Sequence, residues 1–468
     1  MDKPKIGLLP LYIELYDKAL PQTRPRVEAF YATIAQELGK RGLEVLTSAI
    51  CRVKSEFAAA LMSFEEGQAD AIVTLHLAYS PSLESAAALA GTKLPIIVLD
   101  TTPAYSYGPN QDPDELMYNH GIHGVQDMCN LLRRNGKPFQ IEAGHWEKSD
   151  VLDRVAGWAR AARMASAMRN ARVGRIGRPF KGMGDFAVPA PILKSTIGVE
   201  TVPCDPEVIR SLAPAPDDPE VEAEMADNLA AFTCDGLDPE AHRRTAQACL
   251  AVRRWIERED LTAFTMNFLE IDKASGLPTV PFLEASKAMS RGIGYAGEGD
   301  VLTAALVGAL ASVYPDTTFT EMFCPDWEGG SIFLSHMGEM NLNLTAEKPR
   351  LLVKPFPWTD ADDPVVAVGR FRGGEALLVN LAPGPDDAYR LIVASGKMIH
   401  TEGDNRMADM VHGWFRPLAP VAAFLSGYSQ MGGTHHSALM YGSVPGDIER
   451  LGRIMGWRVS RGLSRGFI

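Results

Sequence analysis

The first 110 residues alternate short apolar, β-branched runs with amphipathic stretches, and this alternation limits the fold more than any other feature. The runs that predict strands are Lys5–Leu9, Glu44–Ser48, Ala71–Leu77 and Pro95–Leu99. Between the first two lies Arg26–Lys40, in which apolar residues recur every four positions, as on one face of a helix. Strand–helix–strand alternation is typical of parallel sheets covered by helices, so the pattern predicts a doubly wound, Rossmann-like α/β domain.

Further domains are expected because 468 residues exceed what one hydrophobic core usually organises. A second alternating stretch begins at Arg172, and after about residue 340 short strands follow one another, separated by glycine and proline turns. This later pattern of short strands and turns favours an antiparallel sheet or barrel. The sequence therefore predicts two Rossmann-like parallel-sheet domains, at residues 1–171 and 172–340, followed by an antiparallel β-barrel-like domain at residues 341–468.

Charge and hydropathy exclude two classes of partner. The formal net charge is -12 and no Lys/Arg-rich run is present, whereas binding to a phosphate backbone needs a basic surface. No stretch approaches the ~18 consecutive apolar residues of a membrane span, and the first residues lack the pattern of a signal peptide. The six cysteines are scattered without a CxxC pair, so free thiols and a cytoplasmic location are expected.

The glycine-rich stretch Gly292–Asp300 allows two interpretations. It contains a G-x-G-x-x-G pattern, and Glu321 follows at about the distance of a ribose-binding acid in dinucleotide sites. However, the preceding Phe282–Ser290 is predicted to be a helix rather than a strand, and Glu298 would place a carboxylate where a pyrophosphate must approach. The second interpretation fits better: the glycines allow a sharp turn that presents Glu298 just before a helix capped by Asp300.

Three further features end or interrupt apolar runs: Glu321, His336 and the doublet His435-His436. Taken singly, these residues have ordinary explanations: His336 as a hydrogen-bonded core histidine and the doublet as a polar turn. Glu298, likewise, is explained as a solvated surface residue. Charged residues are rarely buried unpaired, so several of these side chains meeting at one place would indicate a metal site. Mixed carboxylate and imidazole ligands suit Mn²⁺, Co²⁺ or Mg²⁺. The pattern alone permits such a site without requiring it.

In these motifs the chain resembles the L-arabinose isomerase/L-fucose isomerase superfamily and is more similar to the arabinose isomerase branch. The matching fragments occur in the family's order and with similar spacing: Leu75–Pro81, Gly144–Glu147, Phe264–Phe268, Gly294–Leu306, Phe-x-Glu at 319–321, Ser335-His-Met-x-Glu339 and Gly433-Thr-His-His436. The similarity extends from about residue 70 to about residue 440.

The resemblance implies a set of site residues. Glu298, Glu321, His336 and His436 are implied as the metal ligands, with Mn²⁺ the usual ion and Co²⁺ or Mg²⁺ as alternatives. Glu298 and Glu321 are also implied as the catalytic pair that moves a proton between C2 and C1 of the sugar. The two carboxylates are expected in the central domain.

The resemblance also implies a subunit arrangement. His123 resembles a family histidine that reaches the substrate of a neighbouring subunit, and His435 is expected to contact the substrate as well. The family assembles as trimers or hexamers, so a homo-oligomer with active sites at subunit interfaces is expected.

The implied function is a metal-dependent aldose–ketose isomerase that interconverts a free aldose, a pentose or a 6-deoxyhexose, and its ketose through a cis-enediol. Two other classes stay open: a metal-dependent epimerase or lyase acting on a related sugar or sugar acid, and a non-catalytic sugar-binding relative. The segments Pro10–Tyr16 and Val301-Leu302 depart from the arabinose isomerase pattern. These departures leave the implied ligands in place and leave the identity of the sugar open.

Overall fold

A computed structural model of the protein describes residues 3–402 and 406–461. The chain divides into two compact units, Met1–Arg163 and Met164–Ile468. Within the described residues, no helix is both long enough and apolar enough to cross a lipid bilayer.

The first unit is built on one parallel sheet. Its strands are β1 (Lys5–Leu11), β2 (Glu44–Thr47), β3 (Ala71–His76), β4 (Ile96–Asp100) and β5 (Phe139–Ala143). Its helices are α1 (Glu14–Ala19), α2 (Arg24–Lys40), α3 (Lys54–Glu66), α4 (Ser82–Gly91), α5 (Leu116–Asn119) and α6 (Ile122–Arg134), and α7 (Val151–Arg169) crosses the boundary to the second unit.

The order of this sheet is β2-β1-β3-β4-β5 with every pair parallel, which confirms the Rossmann-like prediction. Every residue of β3 is buried, as expected for a central strand covered on both faces by helices. The four predicted strands are all present. The fifth, β5, was not predicted, because it has no continuous apolar run and ends on Glu142-Ala143.

The second unit begins with another parallel sheet. Its strands are β6 (Arg172–Ile176), β7 (Glu200–Pro203), β8 (Ala263–Met266) and β9 (Gly294–Gly297), in the order β7-β6-β8-β9. Its helices are α8 (Ala190–Thr196), α9 (Pro206–Leu212), α10 (Pro219–Ala231), α11 (Pro239–Arg258), α12 (Phe282–Ser290) and α13 (Val301–Ala311). All but one of the residues of α13 are buried, so its apolar sequence reflects a helix enclosed by protein rather than a surface helix.

In the described remainder of the second unit the strands pair antiparallel, except for the last, Arg458–Arg461, which pairs in parallel with Tyr389–Met398. The strands are β10 (Thr317–Asp326), β11 (Ser331–Ser335), β12 (Arg350–Val353), β13 (Val365–Val368), β14 (Gly374–Pro383), β15 (Tyr389–Met398), β16 (Gly413–Pro417), β17 (His436–Tyr441) and β18 (Arg458–Arg461). Two helices, α14 (Val421–Gln430) and α15 (Pro445–Met455), accompany them. Six strands close into a barrel in the order β14-β17-β10-β11-β16-β15, because β15 pairs back to β14.

The closed barrel confirms the predicted antiparallel region, but it begins earlier than the sequence suggested. Strands β10 and β11 lie inside the range 172–340 assigned to the central domain, yet they pair with β17 and β16 of the barrel. Consequently Glu321 is a barrel residue, whereas Glu298 follows the parallel sheet. The three domain ranges themselves stay predictions.

Candidate metal and catalytic site

Glu298 stands in a tight turn at the carboxyl end of β9. Its φ of 65° lies in the left-handed region, which side chains other than glycine seldom adopt. The hydroxyl of Thr265 on β8 fixes the turn by accepting the Gly299 N–H at 3.0 Å and donating to the Gly297 carbonyl at 3.2 Å. The carboxyl edge of a parallel sheet is where α/β proteins commonly bind ligands. A backbone conformation of this kind is found most often at functional sites.

The dinucleotide interpretation does not fit this geometry. Gly294 to Gly297 form strand β9 itself, so two glycines of the pattern lie within a strand rather than in a phosphate-binding turn after it. Asp300 caps α13 by accepting the Thr303 N–H at 2.9 Å, as predicted. The end of the helix that would face a pyrophosphate is therefore flanked by two carboxylates, Glu298 and Asp300.

The register of the barrel gathers the other predicted residues. Strand β10 lies between β17 and β11, and Glu321 pairs with His436 on one side and with Ser335 on the other. Cross-strand partners direct their side chains to the same face of a sheet, so Glu321 and His436 project together. His336 follows immediately after β11 and is buried.

Four predicted side chains, that of Glu321 among them, lie together in one cluster. Glu321 Oε1 lies 3.0 Å from His436 Nε2 and 3.2 Å from His336 Nε2, while His436 Nε2 lies 3.6 Å from Glu298 Oε2. Glu298 reaches this point from the parallel sheet, and the other three reach it from the barrel. The structure thus brings together all four residues that the resemblance implies as ligands.

Two atoms of this cluster suit a cation. Glu321 Oε1 and His436 Nε2 are buried and make no geometrically acceptable hydrogen bond, although they face each other. A buried acceptor without a partner costs roughly 1–3 kcal/mol, which a bound cation would offset. Carboxylate oxygens with imidazole nitrogens are a donor set that divalent metals accept. The residues present therefore fit a divalent ion.

The two carboxyl groups favour their ionised form. Burial raises the pKa of Glu298, but the contacts with His435 and His436 outweigh burial and lower that pKa to about 2. Burial likewise raises the pKa of Glu321, and the contacts with His336 and His436 lower that pKa well below its usual range. Both groups are carboxylates at neutral pH, as metal ligands must be.

The two buried histidines respond to the same charges. Burial lowers the pKa of His336, but Glu339 and Glu321 outweigh burial and raise that pKa to about 10. Burial lowers the pKa of His436 too, and its hydrogen bond to Asp300 leads the effects that raise that pKa well above its ordinary value. The cluster therefore attracts positive charge, which protons or a divalent cation can supply.

His435 also belongs to this cluster. Potential ligand atoms of Glu298, Glu321, His435 and His436 all lie within 4.8 Å of one another, and His435 Nε2 is 3.5 Å from Glu298 Oε2. The side chain of His435 is 37% exposed, whereas that of His336 is only 2% exposed. His435 thus stands at the open side of the cluster, where a substrate would approach.

Asp185 and Phe186 are site residues that the sequence analysis missed. Asp185 Oδ2 accepts the His435 backbone N–H at 3.0 Å and lies 2.7 Å from its Nδ1. The ring of Phe186 stacks on that of His436, with centroids 4.9 Å apart. Both residues lie in a loop of the second unit about 250 residues before the histidines, and nothing in the local sequence indicates this contact.

His123 lies in the first unit, on the first turn of α6. It is exposed, and its ring packs against Tyr79 and His120 at centroid distances of 4.7 and 4.9 Å. His120 in turn is 2.9 Å from the hydroxyl of Tyr16. The substrate role of His123 stays a prediction.

Comparison with known proteins gives a consistent result. The L-arabinose isomerase central domain matches residues 221–314, and the L-arabinose isomerase C-terminal domain matches residues 316–458. The L-arabinose isomerase of Thermotoga petrophila is 27% identical over 413 residues, covering 83% of this chain and 79% of its own. That of Geobacillus thermodenitrificans is 27% identical over 357 residues, covering 74% and 71%. That of Shouchella clausii is 24% identical over 339 residues, covering 70% and 68%.

These matches and the fold place the chain in the class of aldose–ketose sugar isomerases. The chain belongs to the L-arabinose isomerase family. The family resemblance and the enzyme class predicted from the sequence are thereby confirmed. The boundary between the two matched domains falls between residues 314 and 316, directly before the first barrel strand, β10.

Proposed function

We propose that this protein is a divalent-metal-dependent isomerase that interconverts a free aldose, a pentose or 6-deoxyhexose, with its ketose through a cis-enediol. The observation that carries the proposal is the pair of ionised carboxylates, Glu298 and Glu321, that face buried imidazoles at the meeting point of two sheets. The names of the relatives supply the reaction type, and the cluster supplies groups suited to it.

The proposed ligands are Glu298, Glu321, His336 and His436, with Mn²⁺ as the preferred ion and Co²⁺ or Mg²⁺ as alternatives. His336 is preferred to His435 because it is almost fully buried, whereas His435 occupies the open side. We assign His435 to the substrate, where Asp185 fixes its orientation. A bound divalent ion would polarise the sugar carbonyl and neutralise the enediolate.

The proposed proton transfer uses the two carboxylates. The C2–H bond of the aldose breaks as one carboxylate accepts the proton, a C1–H bond forms by return of a proton, and the hydroxyl proton passes from O2 to O1. Aldose and ketose have the same composition, so no external oxidant or reductant is needed. Glu298 and Glu321 come from different sheets and are thus able to act from opposite sides of the sugar.

The protein is further proposed to act as a homo-oligomer, a trimer or hexamer, in which His123 contributes to the site of a neighbouring subunit. The exposure of His123 and its group of aromatic neighbours supports this role. Light scattering during size exclusion is expected to give at least three subunits. A monomer with full isomerase activity would contradict this part of the proposal.

Substitution of the carboxylates tests the reaction. Glu298→Gln and Glu321→Gln keep the shape of the side chain but remove the base, so each is expected to lower kcat by about 10³-fold or more. Glu328→Gln, an exposed residue of the same β10–β11 hairpin, is the matched control and is expected to keep full activity. The readout is ¹H NMR of an aldose panel with Mn²⁺ in D₂O, in which isomerisation labels C1 of the ketose.

The same experiment separates the open alternatives. An epimerase returns deuterium to C2 of an aldose, a lyase yields two shorter products, and a sugar-binding protein exchanges no proton at all. Removal of metal by a chelator is expected to abolish turnover, and Mn²⁺ or Co²⁺ is expected to restore it. Activity that survives complete metal removal, or in either glutamine variant, would refute the proposal.

A further inference from the structure

Each of the two buried histidines has a fully buried carboxylate behind it. Asp300 Oδ2 lies 2.9 Å from His436 Nδ1, and Glu339 Oε2 lies 2.7 Å from His336 Nδ1. Both carboxylates have 0% exposed side chains. A buried charge is strongly unfavourable unless it is paired, so the contacts with the histidines help to stabilise both carboxylates.

The second oxygen of each carboxylate is also engaged. Asp300 Oδ1 accepts the Thr303 N–H at 2.9 Å, and Glu339 Oε1 accepts the Tyr295 hydroxyl at 2.7 Å. Each carboxylate therefore makes two contacts and directs one oxygen to Nδ1 of a histidine. Neither is among the carboxylates that face the cluster centred on Glu321.

We infer that Asp300 and Glu339 are positioning residues that hold His436 and His336 with the proton on Nδ1 and the lone pair of Nε2 directed at the metal. A carboxylate only accepts hydrogen bonds, so it requires a proton on the nitrogen that faces it. In neutral imidazole the other nitrogen then carries the lone pair. Those two Nε2 atoms lie 3.0 and 3.2 Å from Glu321 Oε1. The inference rests on the proposed metal-dependent function.

The two residues are not equivalent, and the difference gives a sharp prediction. In Asp300→Asn one carbonyl oxygen must serve either the Thr303 N–H or His436, and an amide NH₂ facing His436 would favour the tautomer with the proton on Nε2. In Glu339→Gln the amide NH₂ faces the Tyr295 hydroxyl, which accepts hydrogen bonds as well as donating them. The carbonyl oxygen therefore remains available to His336. Glu339→Gln should thus lose less Mn²⁺ affinity than Asp300→Asn.

Metal binding to the full-length protein tests the inference. Asp300→Asn and Asp300→Ser both keep a preferred helix N-cap, so the capping role of Asp300 is retained while its carboxylate is removed. Loss of such an outer carboxylate typically weakens metal binding about 10- to 100-fold. Both variants are expected to bind Mn²⁺ more weakly by that factor in equilibrium dialysis, and Glu339→Gln by a smaller factor.

Asp447→Asn is the matched control. Asp447 is also fully buried and accepts the Tyr314 hydroxyl at 2.7 Å and an Arg450 N–H at 2.9 Å, but it lies on α15 and faces no site histidine. This variant is expected to keep wild-type Mn²⁺ affinity. Thermal unfolding monitored by circular dichroism verifies that each variant is folded before its affinity is compared.

A spectroscopic readout distinguishes positioning from a structural role. Long-range ¹H–¹⁵N NMR of the histidine rings in the metal-free protein at high pH, where the rings are neutral, is expected to show Nδ1 protonated for His436 in wild type and a shift toward Nε2–H in Asp300→Asn. Unchanged tautomers and unchanged affinity in the folded Asp300 and Glu339 variants would overturn the inference. If wild type itself binds no divalent metal, the proposed function fails instead.

Discussion

At the scale of single residues, the packing around Gly297 explains why β9 ends on glycine. A Cβ at this position would lie 2.8 Å from His336 Cε1 and 3.1 Å from His336 Nε2. Contacts this short force the histidine ring to move. The position of His336 in the proposed metal site therefore requires that residue 297 has no side chain.

Gly297→Ala is expected to displace the His336 ring and weaken Mn²⁺ binding by about 10-fold or more, since a ligand displaced by a fraction of an ångström loses its geometry. Overpacking should cost about 1–3 kcal/mol of the free energy of unfolding, so the variant should still fold. Isothermal titration with Mn²⁺ and urea unfolding measure the two effects. Gly91→Ala, where a Cβ meets nothing within 4 Å, is the control. Unchanged Mn²⁺ affinity in Gly297→Ala would show that His336 is not a ligand.

Some contacts between site residues leave no signal in the sequence. Asp185 contacts His435 across 250 positions of sequence, and no periodicity or spacing encodes such a contact. Glu339 belongs to a motif that matches the family, but the sequence does not show that its carboxylate contacts His336 Nδ1. A single sequence reports residue types in order, whereas hydrogen bonds between distant segments depend on how the sheets are arranged.

At the scale of elements, the crossing of β9 and α13 sets the position of Glu298. Gly294 lies so close to the helix that a Cβ would meet Ala304 O at 2.3 Å and Gly308 N at 2.4 Å. These are backbone atoms of a buried helix, and they cannot move aside as a side-chain tip can. The strand and the helix thus hold the Glu298 turn from both of its ends.

Gly294→Ala is therefore expected to lower the free energy of unfolding by about 3 kcal/mol or more, at the upper end of overpacking effects. Gly308→Ala is the matched comparison, because its Cβ would meet Thr262 O only at 3.0 Å and Gly294 Cα at 3.4 Å. Gly308→Ala should lower the free energy of unfolding clearly less than Gly294→Ala, and helix propensity favours alanine at position 308. Urea unfolding of both proteins gives the comparison. Equal stabilities would mean that β9 and α13 are packed less tightly than described.

At the scale of the whole molecule, the second unit contains a buried charge network that joins three helices. Glu224 on α10 accepts hydrogen bonds from Arg253 on α11 and from Lys287 on α12. Burial raises the pKa of Glu224, but Arg253 and Lys287 outweigh burial and lower that pKa to about 2. Because the folded pKa is lower than in an unfolded chain, the ionised carboxylate stabilises the fold above about pH 4.

This stabilisation should be lost as the pH falls from about 4 towards 2, where folded Glu224 takes up its proton. The loss amounts to at most about 3 kcal/mol. Glu224→Gln should lower the free energy of unfolding at pH 7 and flatten its decline between pH 5 and pH 2. Urea unfolding across that pH range measures both effects. Glu222→Gln, an exposed neighbour on α10 that pairs with Arg243, should change neither appreciably. An unaltered acid profile in Glu224→Gln would contradict the assignment.

Much of the fold was predictable from local pattern. A buried parallel strand such as β3 is a short apolar run with recognisable ends, and helix α12 was predicted with the bounds it has. The cap of α13 by Asp300 also follows from local chemistry, because a cap involves only neighbouring residues. The edge strand β5 was missed, since its polar residues do not give a strand pattern.

The order of residues alone shows which groups are available: two glutamates, three histidines and a glycine turn in the order of a known family. How these groups meet depends on the tertiary structure. Glu321 faces His436 because β10 pairs with β17, and Glu298 joins them because β9 ends beside the barrel. Pairing of distant strands is set by closure of the barrel and packing of the core, not by any local preference, and the convergence of the site is therefore a property of the fold.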